Sequence, residues 1–252
     1  MSADICFAQI SDCHLYADKK ALHYGANVFN NLCLVLKKIE QTPDIQFIIF
    51  TGDLTQDHSE LSYQNFVDAI EQAKITQPVY FLAGNHDDAT LLAKYLNKAP
   101  FINNQCLEFS NWQVQLLESK SETPSGYVSQ DESERLLLAV NQEKFQLLMM
   151  HHHAVDVGYF IDRHGLTNQA DFKHMLVGID QLKAIACGHV HNALELYIAT
   201  DRLNIPLYTC PATSIQFDMS ADTVANSGKS AGYRIFSLSN NGRVESQAVF
   251  LQ

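Results

Sequence analysis

Five short apolar runs in this chain each stop at a side chain able to hold a metal ion, and no other feature restricts the fold as tightly. They end at Asp12 and His14, at Asp53, at Asn85 and His86, at His151, His152 and His153, and at His189 and His191. Residues 48–53 show the pattern in its shortest form. Four apolar or β-branched residues read as a buried strand, Gly52 allows the backbone to turn, and a carboxylate follows. Strands that each deliver a ligand at the same end must gather those ends along one sheet edge, which is where open α/β folds place their sites.

The segments between the runs agree with this. Residues 5–10 form a first strand. Val28, Phe29, Leu32, Val35, Leu36 and Ile39 recur at helical spacing to about Glu40, and Thr42-Pro43-Asp44 ends the helix. A strand over 46–51 follows. Asp57 and Glu60 have capping-box spacing before a helix predicted to carry Leu61, Phe66, Val67, Ile70 and Ala73 on one face. Pro78 opens a strand over 79–83, so the order to this point is β-α-β-α-β, the pattern of a layered α/β fold.

Further on, the pattern predicts a short helix over 91–96, a strand over 112–117, a polar loop over 120–127 and a second capping box at Ser129 and Glu132. A strand over 145–150, a helix around 168–176 and a strand over 184–187 come next. Beyond these only strands are expected, at 194–198, 205–209, 232–238 and 244–251, with Asn241-Gly242 marking a tight hairpin between the last two. No repeat or linker separates a second domain, and 220–229 is the candidate for a mobile loop.

A chain of 252 residues, 46% of them hydrophobic, can bury a full core as one domain. Its net charge of −11 opposes binding driven by a nucleic-acid backbone or by an anionic membrane. It does not oppose a phosphate substrate, because bound dications invert the local field. No leader of basic then apolar residues opens the chain, and no run nears the roughly 18 apolar residues of a membrane span. Six scattered cysteines without a Cys-x-x-Cys pair fit reduced thiols in a cytoplasmic protein. The candidate ligands are Asp, Asn and His with no thiolate. This mixed oxygen and nitrogen set suits Fe, Mn or Zn in an open site better than a closed structural zinc.

Taken in succession, Asp12-x-His14, Gly52-Asp53, Gly84-Asn85-His86-Asp87, His152 and Gly188-His189-x-His191 resemble the calcineurin-like metallophosphoesterase superfamily. Three stretches are similar to its class III 3′,5′-cyclic AMP phosphodiesterases of the CpdA/Icc type. They are 53–57, the run from His151 through Gly158 and Asp162 to Asn168, and Cys187–His191 with 211–217. The resemblance spans nearly the whole chain. It implies a single domain over 1–252 with a four-layer α/β/β/α sandwich, two central mixed β-sheets flanked by helices. It also implies two divalent or trivalent metal ions, Fe and/or Mn, with Zn as an alternative.

By the same resemblance, Asp12, His14, Asp53 and His191 would hold one ion. Asp53, Asn85, His189 and a histidine of the triplet would hold the other. The family's ligand lies two residues before a proline, which maps to His152, although Ala154 stands here in place of that proline. The implied reaction is hydrolysis of cyclic AMP to 5′-AMP by in-line attack of a metal-bridging hydroxide, with His86 as acid or charge stabiliser. His14, Asp53, Asn85, His86 and His191 would meet the substrate, and Tyr159, Phe160 or Phe217 could stack on its base. Asp57 or Asp87 would orient a ligand imidazole. The implied partner is a small cyclic nucleotide, without nucleic acid or membrane, and a homodimer is compatible with it. The competing readings are another phosphodiester substrate (a 2′,3′-cyclic nucleotide, a nucleotide pyrophosphate or a phospholipid head group) and a non-catalytic scaffold of the same fold.

Overall fold

The computed structural model describes residues 4–252. In the first half, β1 (Ile5–Ile10), a small hairpin of β2 (Leu22–His23) and β3 (Ala26–Asn27), and α1 (Val28–Glu40) are followed by β4 (Phe47–Phe50) and α2 (Glu60–Gln72). Then come β5 (Val79–Phe81), α3 (Ala89–Tyr95) and β6 (Phe101–Ile102). The second half runs β7 (Cys106–Glu108), β8 (Trp112–Leu117), α4 (Gln130–Ala139), β9 (Phe145–Met150), a 3-10 turn at Phe160–His164, α5 (Gln169–Leu176) and β10 (Leu182–Cys187). It closes with β11 (Glu195–Ala199), β12 (Asn204–Thr209), β13 (Gly232–Leu238) and β14 (Val244–Phe250).

These strands build two mixed sheets of six, in the orders β14-β13-β1-β4-β5-β6 and β11-β12-β10-β9-β8-β7. Each has a parallel centre, β1-β4-β5-β6 in one and β8-β9-β10-β12 in the other. Period-two alternation then sorts the side chains. Phe7, Phe47, Ile49, Leu147, Met149, Ala184 and Ala186 meet between the sheets. Ala8, Ile10, Ile48 and Phe50 face the opposite way, onto α1, α2 and α3. Leu148, Met150, Ile185 and Cys187 face α4 and α5. The result is the expected four-layer α/β/β/α sandwich, and it sets the carboxyl ends of the parallel strands of both sheets side by side.

The structure departs from the sequence expectations at α2. Ser59, not Asp57, caps the helix by accepting the N–H of Ser62. Asp57 instead accepts the N–H of Ala17 at 2.8 Å. Leu61 is 60% exposed, because five residues of helix separate it by about 140° from Phe66 on the buried stripe. The short edge strands β6 and β7 and the β2-β3 hairpin were not foreseen. The Asn241-Gly242 turn forms as expected, with the Gly242 N–H donating to Ser239 C=O at 3.0 Å and Gly242 at φ 88°. Residues 220–229 are tied to the molecule, Asn226 Nδ2 donating to Tyr24 C=O at 3.1 Å and Arg163 Nη1 to Asp222 C=O at 3.0 Å.

Candidate metal centre

The strand ends are stitched to each other before any side chain is considered. Asp12 N–H donates to Gly52 C=O at 2.9 Å, and Cys13 and His14 N–H both donate to Asp53 C=O, at 2.8 and 3.1 Å. Gly52 has φ 92°, and a Cβ there would fall 2.4 Å from the backbone nitrogen of Gly84, so only glycine lets these two loops touch. Among the described residues, eight non-glycine residues have a left-handed backbone, and five are Asp12, His14, Asp53, His189 and His191, at φ 47–65°. Each such conformation costs on the order of 1–3 kcal/mol and persists only where its surroundings enforce it.

The side chains converge on Asp53, which is 2% exposed. His14 Nε2 lies 3.7 Å and His151 Nε2 3.4 Å from Asp53 Oδ2. His191 Nε2 lies 3.5 Å from Asp12 Oδ1. Asn85 Oδ1 and His189 Nδ1 are 3.1 and 3.2 Å from His151 Nε2. Two groups result. Asp12, His14 and His191 make one; His151, His152 and His189 make the other, with Asn85 Oδ1 beside His151; Asp53 reaches both.

The hydrogen bonds on the far side of each ring decide what the near side can do. His14 Nδ1 is 2.8 Å from Gln56 Oε1, His191 Nδ1 is 2.9 Å from Ile215 C=O, and His151 Nδ1 is 2.7 Å from Thr51 C=O. Acceptors at those distances put a proton on Nδ1 of each ring. In His151 burial would lower the pKa, but Asp53 outweighs this and lifts it to about 9, so its Nε2 also carries a proton that a bound metal would displace. In His14 and His191 the Nε2 lone pair is left pointing inward. Yet His14 Nε2 and His191 Nε2 are 3.0 Å apart. Two lone pairs facing each other at that distance repel unless a cation sits against both, so the donor set fits a metal. Burial, with His191 nearby, holds His14 well below the usual imidazole range, and burial does the same to His189. Neutral imidazoles are the ligating form. Burial alone would raise Asp53, but His151 beside it outweighs this and keeps the carboxyl ionised.

Within the triplet, His151, His152 and His189 offer ligand atoms within 4.8 Å of one another, and His151 Nε2 is the one beside Asp53 and Asn85. Both ring nitrogens of His152 are taken, Nδ1 by Ser119 Oγ at 2.9 Å and Nε2 by Pro124 C=O at 3.2 Å. His153 Nε2 lies 3.3 Å from Asp162. Strand parity puts His151 on the face of Leu147 and Met149, between the sheets, while the His152 ring also lies against His189, with centroids 4.7 Å apart. Gln56 and Ile215, which orient two of the rings, were also missed, since neither residue type announces such a role. Neither Asp57 nor Asp87 touches a candidate ligand imidazole. Asp87 serves the backbone instead, accepting the N–H of Asp53, Leu54 and Gly84.

His86 completes the centre. Its backbone N–H donates to Asp53 Oδ1 at 2.9 Å, and its ring stands edge-on to His14 with centroids 4.9 Å apart. Burial lowers its pKa. His14, Asp53, Asn85, His86 and His191 all line one cavity of about 280 Å³, whose outer wall includes Phe160, Phe217, Arg163 and Val224. Phe217 stacks on His191 with centroids 3.8 Å apart. Tyr159 does not line it; its hydroxyl is spent on Val190 C=O.

Residues 6–193 match the calcineurin-like phosphoesterase family. A probable cyclic nucleotide phosphodiesterase of Colwellia psychrerythraea is 53% identical over 98% of this chain and 95% of its own length. The 3′,5′-cyclic adenosine monophosphate phosphodiesterase CpdA of Haemophilus influenzae is 30% identical over 97% of this chain and 89% of its own. In architecture the chain resembles a dimetal phosphatase from Danio rerio, with a TM-score of 0.66 over the full length of both at 12% identity.

Proposed function

The chain belongs to the calcineurin-like phosphoesterase family, and on that premise we propose that it is a dinuclear metal-dependent phosphodiesterase hydrolysing 3′,5′-cyclic AMP to 5′-AMP. Asp12, His14, Asp53 and His191 would hold one ion, and Asp53, Asn85, His151 and His189 the other. The mixed donor set suits iron, manganese or both, with zinc as the alternative. When bound, such a pair supplies Lewis acidity, lowering the pKa of coordinated water and offsetting phosphate charge. The facing lone pairs of His14 and His191 are the observation that supports this reading most directly.

The chain's own residues do the rest. Asn85, His86 and the two ends of the ligand set floor the cavity, so a phosphate seated there meets all of them. His86 is half-buried and held mainly neutral, and its ring N–H would donate to the oxygen that leaves the ribose 3′ position. The nucleoside would lie along Phe160 and Phe217. The relatives' names support a cyclic nucleotide as substrate. No helix among the described residues is long and apolar enough to cross a membrane, and the six cysteines are free. Both facts are compatible with a cytoplasmic enzyme of one domain, alone or as a homodimer.

The test measures metal content and compares specificity constants for cyclic AMP, cyclic GMP, 2′,3′-cyclic AMP, a dinucleotide and an aryl diester. Two ions per chain and a preference for cyclic AMP are expected, with metal and turnover lost in Asp53→Ala. Full activity in that variant, or a higher specificity constant for another diester, overturns the proposal.

A further inference from the structure

His58 belongs to no motif and is no candidate ligand, yet it holds the residue that would face the leaving group. Its Nδ1 is 3.0 Å from the backbone carbonyl of His86, so Nδ1 carries the proton and donates. The His86 N–H is already held by Asp53 Oδ1 at 2.9 Å. Both backbone groups of His86 are therefore tied, one to the centre and one to His58. The rings of His58 and His86 lie parallel within 5°, centroids 5.7 Å apart, while His14 stands edge-on to the His86 ring at 4.9 Å. The next residue back is fixed as well, Lys120 Nζ donating to Asn85 C=O at 3.1 Å.

His58 is itself held in a costly conformation. Its φ of 56° is left-handed, a region that non-glycine residues rarely occupy without a reason. Its N–H donates to Thr55 Oγ1 at 3.0 Å, Thr55 Oγ1 also accepts Ser62 Oγ at 2.7 Å, and the next residue, Ser59, caps α2. The start of a packed helix thus anchors His58, while its side chain is exposed to solvent.

We propose that His58 is a positioning residue for His86: its Nδ1–H, braced by the α2 N-terminus, fixes the His86 backbone so that the imidazole stays directed at the departing oxygen. The inference rests on the phosphodiesterase reading and on the role given there to His86. It adds a residue whose effect scales with how much help the leaving group needs.

Two variants separate positioning from folding. His58→Gly keeps the left-handed backbone and removes the donor. His58→Asn also tolerates that backbone and returns an N–H at the same distance from Cβ. Metal-loaded protein is assayed on cyclic AMP and on bis(4-nitrophenyl) phosphate. For His58→Gly, kcat on cyclic AMP should fall about tenfold, as loss of one hydrogen bond's orienting effect predicts, with KM, metal content and aryl-diester turnover unchanged. His58→Asn should recover most of that loss. A wild-type kcat in His58→Gly, an equal loss on both substrates, or failure of His58→Asn to recover overturns the inference. A wild-type rate on cyclic AMP in His86→Ala overturns the underlying reading instead, and the inference with it.

Discussion

The Asp87 carboxylate accepts the backbone N–H of Asp53 at 2.8 Å, and the same side chain takes those of Leu54 at 2.8 Å and Gly84 at 2.9 Å. One buried side chain thereby sets the backbone of two ligand loops, including the strained turn at Asp53.

Asp87→Ala leaves four buried backbone donors, those of Asp53, Leu54, Thr55 and Gly84, without that partner, and the expected loss is roughly 3 kcal/mol or more of stability. Metal retention should fall with it, because the Asp53 turn loses its brace. Urea denaturation with and without manganese measures both. An unchanged midpoint would show that water or backbone relaxation replaces the carboxylate.

His151 and His152 should part company in metal analysis. Replacing His151 by Ala is expected to empty one site, leaving about one ion per chain and little turnover. His152→Ala should keep both ions and lose stability only, since its ring bonds Ser119 and Pro124. The opposite pattern would restore the assignment made from sequence.

His86→Ala should retain metal and lose about 10²–10⁴ in rate on cyclic AMP, where the leaving oxygen needs a donor. An aryl diester, whose leaving group departs unaided, should lose much less. Comparable losses on both would remove His86 from the leaving-group side.

Acid should unmask Asp57. Partial burial works against its charge, but the Ala17 N–H and the Ser59 hydroxyl and N–H outweigh this and hold the carboxyl below the ordinary 3.8. A depressed folded value means the contribution is complete above about 3.8 and disappears as pH falls through the lower folded value. Asp57→Asn should therefore lower the thermal midpoint at pH 7 and match wild type near pH 2. A difference that persists at pH 2 would assign the effect to lost packing instead.

Much of this was legible in the chain. Strand period, helical spacing and the turn residues placed β1, α1, β8, β9 and β13 within a residue or two, because those elements bury a regular face. The short strands β6 and β7 could not be read, since two or three residues carry no period and form only because a neighbouring strand is there to pair with. Leu61 was misplaced because its apolar character outweighed its position on the helix.

The centre divides in the same way. The residue order alone identified which side chain types follow which strands, and so made candidates of Asp12, His14, Asp53, Asn85, His189 and His191, because a side chain two to four residues past a strand end is positioned by local backbone geometry. How the rings of His151 and His152 are turned was decided by Thr51, Ser119 and Pro124, groups 28–100 residues away whose hydrogen bonds orient them. Ring orientation depends on what lies on the far side of each imidazole, and only the folded chain brings those partners within 3 Å or so.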